Sequence, residues 1–147
     1  MINRFEKFSL AISEIHRYWH KIAADVMEKH GLKGPYATYF TTMYRYPDGI
    51  TSAKLSELCS RDKADVSRAI ALLEKNGLVE RDEANSNYRA PLKLTNEGKK
   101  IAEMINEKAA AAVEYGGHGL SDADRDTFYA ALELITSNLQ KLTEKGL

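Results

Sequence analysis

Lys63, Asp65, Ser67 and Arg68 are the residues whose types and spacing could do chemistry in concert. Over residues 62–76, Val66, Ala69, Ile70 and Leu73 recur at helical spacing and make one apolar stripe. Lys63, Asp65, Ser67, Arg68 and Ala71 fall on the opposite, outward side. A guanidinium there can pair bidentately with a guanine edge, while lysine and serine can serve bases or phosphates. Asp65 could accept from a cytosine amino group; at the start of a helix it equally answers the free amides of the first turn. Charged outer faces are also commonly just solvated, so the pattern alone leaves a binding face and a bare solvent face both open.

Position is set by the elements on either side. Asp62 is the expected N-cap of this helix, and Asn76-Gly77 its stop. Residues 78–81 and 88–94 read as two short strands joined by the turn-forming run 82–87, and Thr95 caps another helix. Pro91 cannot donate to a ladder, so its strand must be an edge or turn that position outward. Upstream, Pro47-Asp48-Gly49 is a turn, and Thr51 or Ser52 caps a short helix through Leu58, with Leu55 and Leu58 facing inward. Cys59-Ser60-Arg61 is the tight link between the two helices. Two helices, a link and a hairpin are the plan of a winged helix-turn-helix.

The string DVSRAIALLEKNGLVER, with LTNEG after the hairpin, resembles the centre of the MarR family of bacterial transcription regulators. The order helix, Asn-Gly, Leu-Val-x-Arg, hairpin, Leu-Thr-x-x-Gly, long helix is specific, and the helix layout extends the resemblance over nearly the whole chain. It implies a helix that enters the major groove of double-stranded DNA and a wing that follows the backbone. On that reading Lys63, Asp65, Ser67 and Arg68 face the groove, and Ser52, Lys54, Arg61, Asn87 and Arg89 suit backbone contacts. Arg81, in the Leu-Val-x-Arg match, braces the wing by an ion pair. The family's wing commonly carries an Asp-Arg-Arg-like run; here Ser86-Asn87-Tyr88-Arg89 stands in its place, and Arg89 takes the tip role with a shifted register.

Composition is ordinary: 147 residues, 44% hydrophobic and 29% charged, suit one globular domain. Twenty-one basic residues balance 21 acidic ones, so overall charge lends nothing to nucleic-acid binding. Distribution says slightly more, since residues 51–100 hold ten Lys or Arg against eight Asp or Glu, while residues 101–147 hold four against eight. No apolar run is long enough to span a bilayer and the N-terminus lacks a signal-peptide core, so a cytoplasmic protein without a membrane partner is expected. Cys59 is the single cysteine, which excludes an intrachain disulfide and reads as a small buried residue rather than a redox sensor. The peroxide-sensing branch of the resembled family keeps its cysteine in the first helix, where this chain has none.

Long helices are expected at both ends. Over residues 3–30, Phe5, Phe8, Ile12, Ile15, Trp19, Ile22 and Val26 form a seam at alternating three and four spacing. Ser121 opens a last helix with a second seam of Phe128, Leu132, Ile135, Leu139 and Leu142. Between them a helix runs from Thr95 to about Tyr115. Two seams at opposite ends point to one shared homodimer interface, against the plainer alternative of a core face within one subunit. Residues 36–46 form a further helix, whose Tyr36, Tyr39 and Tyr44 join Tyr18 and Trp19 in an aromatic cluster. Such clusters are usually core, but the resemblance implies a crevice for a small, often aromatic, effector.

Catalytic signatures are missing: no phosphate loop, no HExxH and no Gly-x-Ser-x-Gly occurs. His16 and His20 share a helix face without an evident third ligand, so they read as solvent-facing or interface histidines, and no metal or other cofactor is expected. The expected protein is a mainly α winged helix-turn-helix with a small hairpin. Residues 35–98 form its DNA-binding lobe, and 1–34 with 99–147 its dimerisation helices. Its expected work is sequence-specific binding to a pseudo-palindromic operator as a homodimeric repressor released by a small molecule. The rival is a winged-helix module that binds another protein.

Overall fold

The computed structural model describes residues 3–81 and 90–146. The elements run α1 (Arg4–Lys29), a 3₁₀ turn (Gly34–Tyr36), α2 (Ala37–Tyr44), α3 (Ser52–Cys59), α4 (Lys63–Lys75), β1 (Val79–Arg81), β2 (Leu92–Leu94), α5 (Asn96–Gly116) and α6 (Asp122–Lys145). They fall into two compact units, Met1–Ala110 and Ala111–Leu147, with the boundary inside α5.

The first unit owes its core to the apolar stripes. Val66, Ala69, Ile70 and Leu73 of α4 are all buried, together with Phe40 and Met43 of α2, Leu55 of α3, Met27 of α1 and Ile105 of α5. Asp62 caps α4 by accepting from the Asp65 amide at 2.7 Å. At its other end Gly77 takes φ +71, a conformation costly to residues with a Cβ. That turn lets Leu78 N–H reach the Leu73 carbonyl at 2.9 Å and Gly77 N–H reach Glu74 at 3.0 Å, the paired bonds that close a Schellman stop. Both strands are short: β1 and β2 pair antiparallel with Val79 opposite Leu94 and Arg81 opposite Leu92. Leu92 also exchanges two backbone bonds with Ile50, at 2.8 and 3.0 Å. The strand therefore begins only after Pro91, so the proline sits outside the ladder it could not serve.

Gly98 explains the Leu-Thr-x-x-Gly motif. A Cβ on it would lie 2.1 Å from the Leu78 carbonyl oxygen, so only glycine lets the first turn of α5 close on that backbone. Thr95 fixes the approach, donating its hydroxyl to the Gly77 carbonyl at 2.7 Å and accepting from the Gly98 amide at 3.1 Å.

Two expectations are corrected here. Leu58 faces solvent, because Cys59, one position later on α3, takes the inward place beside Leu55. The helix expected over residues 36–46 is shorter, with Tyr36 in the 3₁₀ turn and Tyr46 beyond the end of α2. On α1, Ala23, Val26 and Met27 are buried, whereas Phe5, Phe8, Ile12 and Ile15 remain exposed.

In the second unit Ser121 caps α6 by accepting from the Asp124 amide at 3.1 Å. Arg125 reaches back to the Gly117 carbonyl at 3.1 Å and to Glu114 at 3.3 Å, which ties the turn between the helices. No residue of α6 is buried; Phe128, Ile135, Leu139 and Leu142 are exposed and Leu132 is half-buried.

Candidate functional site

The residues expected at a groove stand on a well-anchored helix. With one face of α4 in the core, Lys63, Ser67 and Arg68 are necessarily exposed and Asp65 is half-buried. Arg68 forms an ion pair with Asp65 one turn away. Such an exposed pair is worth roughly 0–1 kcal/mol, so another anion can take the guanidinium from it.

The link into α4 is held tightly. Ser60 adopts left-handed angles, φ 52 and ψ 44, which is uncommon for a residue with a side chain. Arg61 N–H donates to the Ser56 carbonyl at 3.2 Å, and the Ser56 hydroxyl donates back to the Arg61 carbonyl. These bonds fix the angle between α3 and α4. Ser52 lies in the first turn of α3, and Lys54 beside it is exposed, 3.7 Å from Glu57. Arg81 pairs with Glu74 through its Nε at 2.8 Å, tying β1 to α4 as an internal brace. Asn87 and Arg89, with the run 82–89, lie outside the described residues.

A cleft of about 330 Å³ opens beside this face, lined by Lys33, Pro35, Tyr36, Tyr39, Arg61, Asp65 and Arg68. Three cations and two phenols against one carboxylate favour a small anion with a flat apolar body. Burial raises the Tyr39 phenol, an effect that Arg61 partly offsets, so Tyr39 stays a neutral hydrogen-bond donor.

The aromatic cluster expected from sequence divides. Tyr36 and Tyr39 share this cleft, their ring centroids 6.0 Å apart. Tyr44, five residues past Tyr39, points about 140° away around the helix. It lines a separate hollow of about 350 Å³ with Met43, Pro47, Leu94, Lys99 and Glu103, donating its hydroxyl to Glu103 at 3.3 Å. Tyr18 is exposed and lies under the Arg17 guanidinium, 5.1 Å from its ring, while Trp19 packs half-buried against the core. Tyr18 and Trp19 line neither space. The sequence reading missed the cationic half of the cleft: Lys33 precedes Gly34-Pro35 outside any periodic pattern, and Arg61 and Arg68 were expected as DNA contacts rather than as cleft residues.

Comparison with known proteins accords with this geometry. The family model of the MarR family matches residues 30–86. YybA of Bacillus subtilis (strain 168), named an uncharacterized HTH-type transcriptional regulator, is 28% identical over 105 residues, covering 70% of this chain and 69% of that protein. Among solved structures, a MarR transcriptional regulator from Methanosarcina mazei Go1 superposes with TM-score 0.83 at 25% identity, covering 97% of this chain and 94% of that one. A Listeria monocytogenes protein described as a MarR family regulator, solved in complex with a 26mer DNA, gives TM-score 0.76 at 23% identity, over 92% and 93% of the two chains.

Proposed function

We propose that the chain is a MarR-family winged helix-turn-helix transcriptional regulator, acting in the cytoplasm as a homodimeric repressor released by a small aromatic acid. The observation that carries the DNA-reading part is α4: one face sealed in the core, the other offering Lys63, Ser67 and Arg68 to a groove. Ser52, Lys54 and Arg61 hold flanking phosphates, Asp65 releases Arg68 to DNA, and Asn87 and Arg89 extend the contact along the backbone. Apolar residues of α1 and α6 left outside the core, Phe5, Phe8, Ile12, Phe128, Leu132, Ile135, Leu139 and Leu142, supply the dimer surface. A two-fold dimer presents two copies of α4, so the operator is an imperfect palindrome with half-site centres ~10 base pairs apart.

The cleft supplies the release. Arg61 and Arg68 line it and also belong to the proposed DNA face, so a carboxylate seated between Tyr36 and Tyr39 competes with DNA for the same guanidinium groups.

Titrations of Arg68→Ala and Arg89→Ala against specific and scrambled duplexes at several salt concentrations test this reading. Loss of Arg68 should cost about 1–3 kcal/mol and relax preference at one symmetric position. Loss of Arg89 should weaken all sequences alike and lower the salt slope by about one. Millimolar benzoate-class acids should weaken DNA binding by the wild type and not by Tyr36→Ala. Wild-type affinity in both arginine variants would sink the contact scheme and favour a protein partner for this face.

A further inference from the structure

His16 and His20 lie one turn apart on α1 and belong neither to the groove face nor to the cleft. Their Nε2 atoms are 2.8 Å apart, with ring planes at 78° and centroids separated by 4.2 Å. His16 is exposed and His20 half-buried, so solvent reaches the pair. With both rings neutral, one Nε2–H donates to the lone pair of the other Nε2. The same spacing suits an ion. Two nitrogens 2.8 Å apart and each ~2.0–2.1 Å from a common centre subtend roughly 85°, near the cis angle of a square-planar or octahedral site.

We propose that His16 and His20 form a two-histidine chelate for a divalent ion of the Cu²⁺, Ni²⁺ or Zn²⁺ class, with water completing the coordination. Loading is proton-neutral: the ring that donates through Nε2 moves that proton to Nδ1 by exchange with water, and both Nε2 lone pairs turn to the ion. Among the described residues no group of three or more His, Cys, Asp or Glu side chains gathers. The site is therefore open and exchangeable, unlike a closed structural zinc centre. Cu²⁺ should bind most tightly, from its place in the divalent affinity order and its preference for tetragonal geometry.

The test uses the untagged full-length protein, titrated calorimetrically with Cu²⁺, Ni²⁺ or Zn²⁺ in a non-coordinating buffer. One ion per chain is expected, with affinity falling ~10²-fold in His16→Ala and in His20→Ala, since each variant loses the linked second ligand. His30→Ala and His118→Ala should bind as the wild type does. Circular dichroism checks that the variants keep their helices, and a second reading needs no variant at all. Substoichiometric Cu²⁺ should broaden the imidazole signals of His16 and His20 before those of His30 and His118. Unchanged affinity in the first two variants, broadening led by His30 or His118, or no binding with ion in excess would each overturn the proposal.

Discussion

Helices α4 and α6 carry apolar residues at the same three-and-four spacing and meet opposite fates. On α4 the whole stripe is buried within the first unit, while on α6 no residue is buried and Leu139 keeps 48% of its surface exposed. Periodicity thus reports that a helix has an apolar face and says nothing about what covers it. The cover depends on length and neighbours: α4 has 13 residues, with α3 on one side and β1 at its end, whereas α6 has 24 and a long open seam. Helix α1 holds both cases in one element, its C-terminal half in the core and its N-terminal half exposed.

The largest effect should come from opening the closed face. Leu73→Ala removes a fully buried side chain and should cost about 2–5 kcal/mol in urea unfolding, whatever the protein concentration. Leu139→Ala should stay within about 0.5 kcal/mol for the dissociated chain, and any further loss should grow with protein concentration as a second copy becomes the cover. A concentration-independent loss at Leu139 equal to that at Leu73 would erase the contrast between the helices.

Next comes the backbone approach that closes the first unit. Gly98→Ala pushes a Cβ against the Leu78 carbonyl, a backbone atom that cannot swing aside. The expected loss is about 1–3 kcal/mol or more, read as a fall in melting temperature. An unchanged melting temperature would mean that the contact between Leu78 and α5 gives way easily and that the motif's glycine is dispensable.

What was legible in the sequence follows from the same physics. Caps and stops act within a few residues, so Asp62, Thr95, Ser121 and Gly77 marked helix ends directly. The Arg81 brace was foreseen from the family resemblance and pairs with Glu74. Leu58 was misplaced because a run of Leu and Cys on a two-turn helix leaves open which of two adjacent positions turns inward. The cleft was half visible: aromatics announce themselves by type, but the approach of Arg61 and Arg68 to Tyr36 is tertiary, and Lys33, three residues before Tyr36, stands in no periodic pattern. Gly98 looked like motif punctuation until the Leu78 carbonyl stood against it.

The smallest effect concerns the thiol enclosed at the edge of that core. Cys59 is buried and donates to the Thr42 hydroxyl at 3.5 Å. Burial pushes its pKa up, against smaller opposing pulls from the Thr42 bond, Arg45 and Arg61. A thiol whose folded pKa lies above its unfolded value, about 8.5, adds stability that is full below that pH. The contribution is lost as pH rises through the folded value, because the unfolded chain then releases the proton more readily. Wild-type stability should therefore decline more steeply above that pH than the stability of Cys59→Ala. Aromatic disulfide reagents at pH 7.5 should modify Cys59 only as fast as α3 lifts from α2, since the thiol is both protonated and covered. Labelling at the rate of a free cysteine would show that this edge of the core opens readily, and the contrast with α6 would then be one of degree.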